Sequence, residues 1–309
     1  MADYYEPLRY QVTAEEDGWK LRTILQTRML ISRQLLVKLK RVERGILLNG
    51  ERKYVDFHVS NGDWVEVNMP VEQSEDILAQ PIPLDIIHED EQILVLNKQA
   101  GLIVHPTHGH YIHTIANGVV YHWQQKGIRC RFRPVHRLDQ ETSGVLLIAK
   151  TPFAHQFLAL QLRAHTVKKQ YYAFVHGQVV ADRGFIDAPI DRSPDHPHRR
   201  MVIAGGAEAR THFQVIERFA QTTWVQLSLE TGRTHQIRVH MSDSGHPLIG
   251  DSLYGTGDDQ HWIARHALHA HTLGFTHPGT RDWMEFKAPL PTDLQTVLQT
   301  LRTTEEAPS

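Results

Sequence analysis

Apolar positions in the first third of the chain change spacing several times. Leu21, Ile24, Leu25 and Leu30 recur at roughly helical spacing, and Ser32 stands where it can cap a second helix beginning at Arg33. The spacing predicts that helix over 33–44, with an apolar stripe of Leu35, Leu36, Leu39 and Val42 and basic residues between. Gly45 stands where a left-handed residue would end it. Ile46-Leu47-Leu48 then runs into Asn49-Gly50, and Asn61-Gly62 precedes the alternating Trp64-Val65-Glu66-Val67. Asn-Gly between apolar runs is a hairpin signal. Residues 18–69 are therefore expected to form a small unit of two helices on a few strands, behind an N-terminal extension, 1–17.

Pro70, Pro81 and Pro83 lie among acidic and small polar residues, so 70–83 reads as a linker with few contacts across it. From 84 to 303 the pattern predicts one long mixed domain, with 304–309 as a tail. Ile93–Leu96, Val145–Ala149, Tyr171–Val175, Arg210–Glu217, Trp224–Leu229 and Thr272–Phe275 read as strands. Thr151-Pro152 opens a helix, as a cap followed by proline in the first turn. Another helix is expected near Arg233. Strands seldom alternate with helices, so the expected fold class is α+β with a mixed, largely antiparallel sheet.

Charge changes the picture of the small unit. The 309-residue chain has a formal net charge of −2, yet residues 18–60 hold ten Lys/Arg against three acids, and residues 61–92 hold nine acids and no Lys or Arg. The basic block, with Arg33, Lys38, Lys40, Arg41 and Arg44, suits a phosphate-binding face, although a merely solvated helix face has the same composition. One cysteine, Cys130, leaves no internal disulfide to form. The N-terminus lacks the basic and apolar regions of a signal peptide, and no apolar run approaches a membrane span. A monomeric, cytoplasmic protein without membrane contact is the expectation.

Three constellations could do chemistry. His136-Arg137-Leu138-Asp139-Gln140-Glu141-Thr142-Ser143-Gly144 precedes a strand, and an aspartate ionised at neutral pH can be a nucleophile without an activating base. Many loop aspartates only start turns. Thr231-Gly232-Arg233-Thr234-His235-Gln236-Ile237-Arg238-Val239-His240 concentrates donors that burial would penalise unless each found a partner; Arg233 at its turn could orient a carboxylate. Ile237 and Met241, four apart, would face a core. Lys168-Lys169-Gln170-Tyr171-Tyr172 leads basic residues into a strand with rings that could stack on a base.

With Asn97-Lys98-Gln99-Ala100-Gly101-Leu102…His105-Pro106 and Gly245-His246-Pro247-Leu248-Ile249-Gly250-Asp251…Tyr254-Gly255, these motifs resemble the RluA-type pseudouridine synthases from about residue 84 to 300. Gln99 stands where relatives usually have proline, and Asp191 where they usually have glycine. Residues 18–69 resemble the small αL-type RNA-binding domain, on Ile31-Ser32-Arg33, Gly45…Asn49-Gly50 and Gly62-Asp63. Together they match the branch acting on large-subunit ribosomal RNA. The resemblance implies Asp139 as the nucleophile, Arg233 as the arginine pairing with it, and Tyr171 as the ring that stacks on uracil and helps remove its C5 proton. It implies Arg137 as the residue filling the gap left by the extruded base, and Ile237 as the apolar residue under the tyrosine. His136, Thr142 and Lys169 are expected at the substrate. The isomerisation has no net redox change and transfers no group, so neither cofactor nor metal is expected.

Two other readings compete. A metal-dependent hydrolase is suggested by His105, His108, His110 and His113 and by His266, His269 and His271, without a His-Glu-x-x-His motif. A non-catalytic RNA-binding protein could keep the fold, but would have little reason to keep both Asp139 and Tyr171.

Overall fold

The computed structural model describes residues 3–107, 109–255, 259 and 262–306. Its first unit holds strands β1 (Leu8–Gln11), β2 (Ile46–Leu48), β3 (Glu51–Arg52) and β4 (Trp64–Val67), with helices α1 (Leu21–Thr27) and α2 (Arg33–Leu39). The antiparallel sheet runs β1-β4-β2-β3. Its first strand lies inside the stretch read as an extension, because Leu8–Gln11 alternate and pair with Val67–Trp64. Ser32 caps α2, its hydroxyl accepting the Leu35 N–H at 3.1 Å. The helix stops at Leu39, short of Arg44. Gly45 is not left-handed; a Cβ there would lie 2.3 Å from the Leu39 carbonyl oxygen, so close passage under the helix end requires glycine. Asn49 and Gly50, at φ 52° and 80°, make the tight turn from β2 to β3.

The main domain contains β5 (Asp85–Glu89), β6 (Ile93–Lys98), α3 (Ile115–Gln125), β7 (Arg133–Pro134), β8 (Ser143–Ala149), α4 (Pro152–Arg163), β9 (Lys168–His176) and β10 (Arg183–Asp187). It continues through β11 (Ile190–Arg192), β12 (Arg200–Val202), β13 (Arg210–Arg218), β14 (Thr222–Leu229), α5 (Gln236–Asp243), β15 (Leu268–Thr276), β16 (Trp283–Lys287) and α6 (Thr292–Glu306). Ten strands form one sheet along β10-β13-β14-β9-β15-β8-β6-β5, with β16 on β15 and β7 on β8; β11 and β12 form a separate hairpin. Every pairing is antiparallel except β15 with β8, so the fold is α+β with a largely antiparallel sheet. All seven residues of β8 are buried, which explains its unbroken apolar run. Thr151 caps α4 through the Ala154 N–H, with Pro152 in the first turn. The sheet is covered by α3 on one face and α4 on the other, each over its own apolar cluster.

Residues 70–83 are not a loose linker. Ser74 Oγ accepts the Phe132 N–H at 2.8 Å, Asn117 Nδ2 donates to the Leu78 carbonyl at 2.8 Å, and Ile77 is buried in the main core. Gln99 Nε2 donates to the Pro83 carbonyl at 3.2 Å. The polar composition that reads as a linker reflects a strap bound through hydrogen bonds to distant side chains.

The two units are also packed together. Phe153 and Phe157 of α4 belong to the small unit's apolar cluster, beside Leu21, Leu25 and Leu36. Gln156 between them accepts the Ser32 N–H at 2.8 Å and donates to the Leu30 carbonyl. Removing Phe153, 1% exposed, leaves a cavity at this interface. Phe153→Ala should lower stability to denaturant by about 3–5 kcal/mol. A change below about 1 kcal/mol, within the range of surface substitutions and small truncations, would mean that the units do not share a core.

Candidate active site

Strand β7 pairs with the far end of β8, so residues 135–142 must loop back to the near end. Each backbone carbonyl at the tip of that loop has a donor. Asp139 O accepts the Thr142 N–H at 3.1 Å, and Gln140 O accepts both the Gly101 N–H at 3.0 Å and Lys98 Nζ at 2.8 Å. Glu141 O takes Arg265 Nη1 at 2.9 Å, and Thr142 O takes Lys98 Nζ at 2.8 Å. Lys98 is fully buried and donates a third bond to the Gln99 carbonyl at 3.0 Å. Burial pulls its pKa down to about 7, while three carbonyl acceptors match the three N–H bonds of the ammonium. The loop ends at Gly144, φ 114°, where a Cβ would lie 2.1 Å from the Ala270 carbonyl oxygen. That contact arises where β8 lies parallel to β15.

Asp139 projects from this loop into a cleft of about 780 Å³, which Tyr171, Arg137, Lys169 and Arg233 also line. Tyr171 sits on central strand β9, opposite Leu227 and Ala270. Burial, and then the Asp139 charge, push its phenol above the ordinary range, so it stays protonated. Ile237 is buried in the same apolar cluster as Tyr171.

The arginine facing Asp139 is Arg238, not Arg233. Arg238 Nη1 donates to Asp139 Oδ2 at 3.3 Å, while Nε and Nη2 grip the two oxygens of buried Asp251 at 2.7 and 2.8 Å. The Asp251 carboxylate is further fixed by the N–H groups of Leu253 and Tyr254, both at 3.0 Å. Burial opposes the Arg238 charge, but hydrogen bonding to Asp251 and the charges of Asp251 and Asp139 outweigh it and raise its pKa. Arg233 is exposed; its Nε donates to the Glu208 carbonyl at 2.8 Å. The turn preceding α5 places Arg233 at the rim and turns Arg238 inward. A signal was available, since Arg238 lies between two core positions of a helix and a buried arginine requires a buried carboxylate.

The polar groups of this motif each find a partner. Gln236 Oε1 accepts from the Thr231 hydroxyl at 2.8 Å and the Arg233 N–H at 2.9 Å, and its Nε2 donates to the Arg210 carbonyl at 2.9 Å. His240 Nε2 meets the Ala188 carbonyl at 2.9 Å.

Several residues expected at the substrate have other engagements. His136 Nε2 accepts the Leu147 N–H at 3.2 Å, and the Thr142 hydroxyl is bonded to His266 Nε2 at 2.8 Å. Both therefore shape the loop. Lys169 Nζ donates to the Thr231 carbonyl at 2.9 Å, and burial lowers its pKa to about 8. Arg137 is exposed at the cleft. Arg33, Lys38, Lys40, Arg41 and Arg44 are exposed, and none forms an ion pair among the described residues.

The histidines behind the metal reading are engaged individually. His269 bridges Ser143 Oγ at 2.9 Å and the Ala288 carbonyl at 3.1 Å, and His271 stacks on Tyr172 at 4.3 Å. His105 Nδ1 lies 3.0 Å from the Pro106 carbonyl, and the His113 backbone N–H donates to Gln80 Oε1 at 2.7 Å. His108 lies outside the described residues. Among those described, no group of three or more His, Cys, Asp or Glu side chains is arranged to hold a metal ion.

Comparison with known proteins agrees with this geometry. A sequence model of the family described as RNA pseudouridylate synthase matches residues 92–243. The chain is 46% identical to the uncharacterized RNA pseudouridine synthase YjbO of Bacillus subtilis (strain 168), over 87% of its own length and 95% of the relative's. It is 38% identical to ribosomal large subunit pseudouridine synthase D of Zymomonas mobilis, over 94% and 97% of the two chains. The solved structure of human RNA pseudouridylate synthase domain containing 1 superposes with a TM-score of 0.57 at 25% identity, over 72% of this chain and 96% of that one. The fold is that of the RNA pseudouridine synthases, and the chain belongs to their RluA-type family.

The site rests on histidines kept neutral by burial, which lowers the pKa of His136 to about 4, His266 to about 3 and His269 to about 4, from 6.5. As pH falls below 6.5 the unfolded chain takes up protons that these folded imidazoles refuse, so stability is complete above that pH and declines toward about 4. Unfolding free energy measured by denaturant should fall by more than about 1 kcal/mol per pH unit between pH 6.5 and 5. An unchanged value across that range would show the imidazoles to be protonated when folded.

Proposed function

We propose that this enzyme isomerises uridines of large-subunit ribosomal RNA, with Asp139 as the nucleophile and Arg238 as the cation that holds it. The observation carrying this reading is the division of labour on the carboxylate. Arg238 Nη1 at 3.3 Å and His235 Nε2 at 3.8 Å both address Oδ2, which leaves Oδ1 available to bond to the substrate. A carboxylate fixed at one oxygen and presented at the other, beside a ring on which a base can stack, suits attack on an extruded nucleotide.

Tyr171 serves first as the stacking surface, with Ile237 in the cluster beneath it. Once Asp139 bonds to substrate its negative charge is withdrawn, the phenol becomes a stronger acid, and Tyr171 is better able to exchange the C5 proton. Arg137, exposed at the cleft mouth, is placed to fill the gap that the base leaves. The five basic residues of the small unit, exposed and in no close ion pair among the described residues, would take phosphates of the flanking RNA. The reaction conserves every atom of the nucleotide, so the proposal includes no cofactor and no metal. It places the enzyme, as a monomer, in the cytoplasm, where its buried free Cys130 would stay reduced.

The relatives named for the large ribosomal subunit support that substrate. Mapping pseudouridines in cellular RNA with and without this gene would identify the uridine. On that RNA, Asp139→Asn should lose at least about 1,000-fold in turnover while binding RNA nearly as well. Arg238→Gln should lose about 100-fold or more, as for removal of a preorganised donor, and Arg233→Gln less than about tenfold. Appreciable turnover by Asp139→Asn, or a greater loss in Arg233→Gln than in Arg238→Gln, would contradict the assignment.

A further inference from the structure

His235 precedes α5 with a left-handed backbone, φ 58°, which side chains other than glycine seldom adopt and which persists only where surroundings hold it. Its ring is held by Tyr254. The Tyr254 oxygen accepts the Arg200 N–H at 2.7 Å and lies 2.9 Å from His235 Nδ1. A backbone N–H only donates, and no other acceptor meets this phenol among the described residues, so its hydrogen goes to Nδ1. The neutral imidazole then carries its own hydrogen on Nε2, the atom that faces Asp139 Oδ2 at 3.8 Å. Tyr254 is buried, and its ring lies under the guanidiniums of Arg238 and Arg199, at 5.0 and 5.5 Å. Arg200 opens strand β12 of the hairpin, and Arg199 immediately precedes it. A hydrogen-bonded line thus runs from the hairpin through Tyr254 to His235, whose Nε2 lies 3.8 Å from Asp139 Oδ2.

We propose that Tyr254 and the Arg200 backbone clamp His235 as a neutral Nε2–H donor aimed at Asp139, which makes His235 a positioning residue for that carboxylate. The inference rests on Asp139 being the reacting group. A protonated His235 would be a second cation beside Arg238 on one carboxylate and would quench its nucleophilicity. A neutral donor orients Oδ2 and leaves the charge balance to Arg238. The contact at 3.8 Å is longer than a hydrogen bond, and such contacts commonly tighten when substrate closes a site. The groups facing His235 are Asp139, Arg238, Asp251, Tyr254 and Arg200. Burial outweighs the attraction of Asp139 and Asp251 and, with Arg238 and Arg200, holds its pKa below the ordinary value.

The test measures kcat at saturating RNA from pH 5 to 8 for wild type, Tyr254→Phe, His235→Asn and the double variant. Asparagine tolerates the left-handed backbone and can still accept the Tyr254 hydrogen, but does not reach Asp139. Tyr254→Phe should raise the acid limb of the profile by about one pH unit, because nothing then reserves Nδ1 as an acceptor. His235→Asn should lower kcat about tenfold with RNA affinity within about twofold, and adding Tyr254→Phe should no longer move the limb. An unmoved limb in Tyr254→Phe, or an equal shift in the His235→Asn background, overturns the proposal. Side-chain nitrogen NMR of the free protein reads the same clamp without catalysis: His235 should carry its proton on Nε2, and an Nδ1 tautomer overturns the proposal. If Asp139 is not the reacting carboxylate, Asp139→Asn stays active whatever that spectrum shows, so the two failures are distinguishable.

Discussion

Asp251 is buried, and one guanidinium takes both of its oxygens while two backbone N–H groups also donate to Oδ1. The pair fixes the direction in which Arg238 can offer its last donor, and that direction is Asp139. Removing charges from water is expensive, and a buried pair broken on one side typically costs about 3–5 kcal/mol. The arrangement is therefore poor evidence for stability and good evidence for preorganisation. An arginine whose fork is already satisfied by Asp251 cannot collapse onto Asp139; it reaches Oδ2 with Nη1 alone and does not occupy Oδ1.

The opposite wall of the site is organised by the same logic. A tight loop at a sheet edge exposes carbonyls that the sheet cannot pair. Here those carbonyls are met by Lys98 and Arg265, which donate to the loop backbone rather than to Asp139. The parallel contact between β8 and β15 brings Ala270 so near the loop that only glycine fits at 144. Tyr171, on the neighbouring strand, is fixed relative to the same Ala270. The loop that carries Asp139 and the strand that carries Tyr171 are thus both referenced to Ala270 of β15.

Much of this was legible in the sequence. Strand β8 follows from its unbroken apolar run, α4 from Thr151-Pro152, the β2–β3 turn from Asn49-Gly50, and the placement of Asp139 beside Tyr171 from the family resemblance. What escaped was whatever depended on partners distant in sequence. The strap at 70–83 looks like a linker because its prolines lie among acidic and small polar residues; the contacts that bind it, Asn117 to the Leu78 carbonyl and Ser74 to the Phe132 N–H, use backbone groups that no pattern of side chains displays. The docking of the small unit was hidden because the apolar positions of α4 do not show which neighbour they pack against, and Phe153 and Phe157 join the small unit's cluster. Arg233 was favoured because it sits at a turn, where it could pair with a carboxylate, and because the family resemblance implies it as the arginine that pairs with Asp139. Only the left-handed residue at 235 and the helix starting at Gln236 show that the inward-facing arginine lies five positions later.

Asp251 does not line the cleft, and its carboxylate grips Arg238, so any effect it has on the reaction passes through that arginine. Asp251→Asn keeps the shape of the side chain and one acceptor oxygen, yet loses the charge that fixes Arg238. The decisive measurement is single-turnover pseudouridine formation by folded Asp251→Asn protein at saturating RNA, beside its RNA affinity. The rate should fall about 100-fold, comparable to loss of a preorganised donor, while affinity stays within about twofold. An unchanged rate in a variant of native stability would show that Arg238 finds Asp139 unaided, and the account given for this site would be wrong.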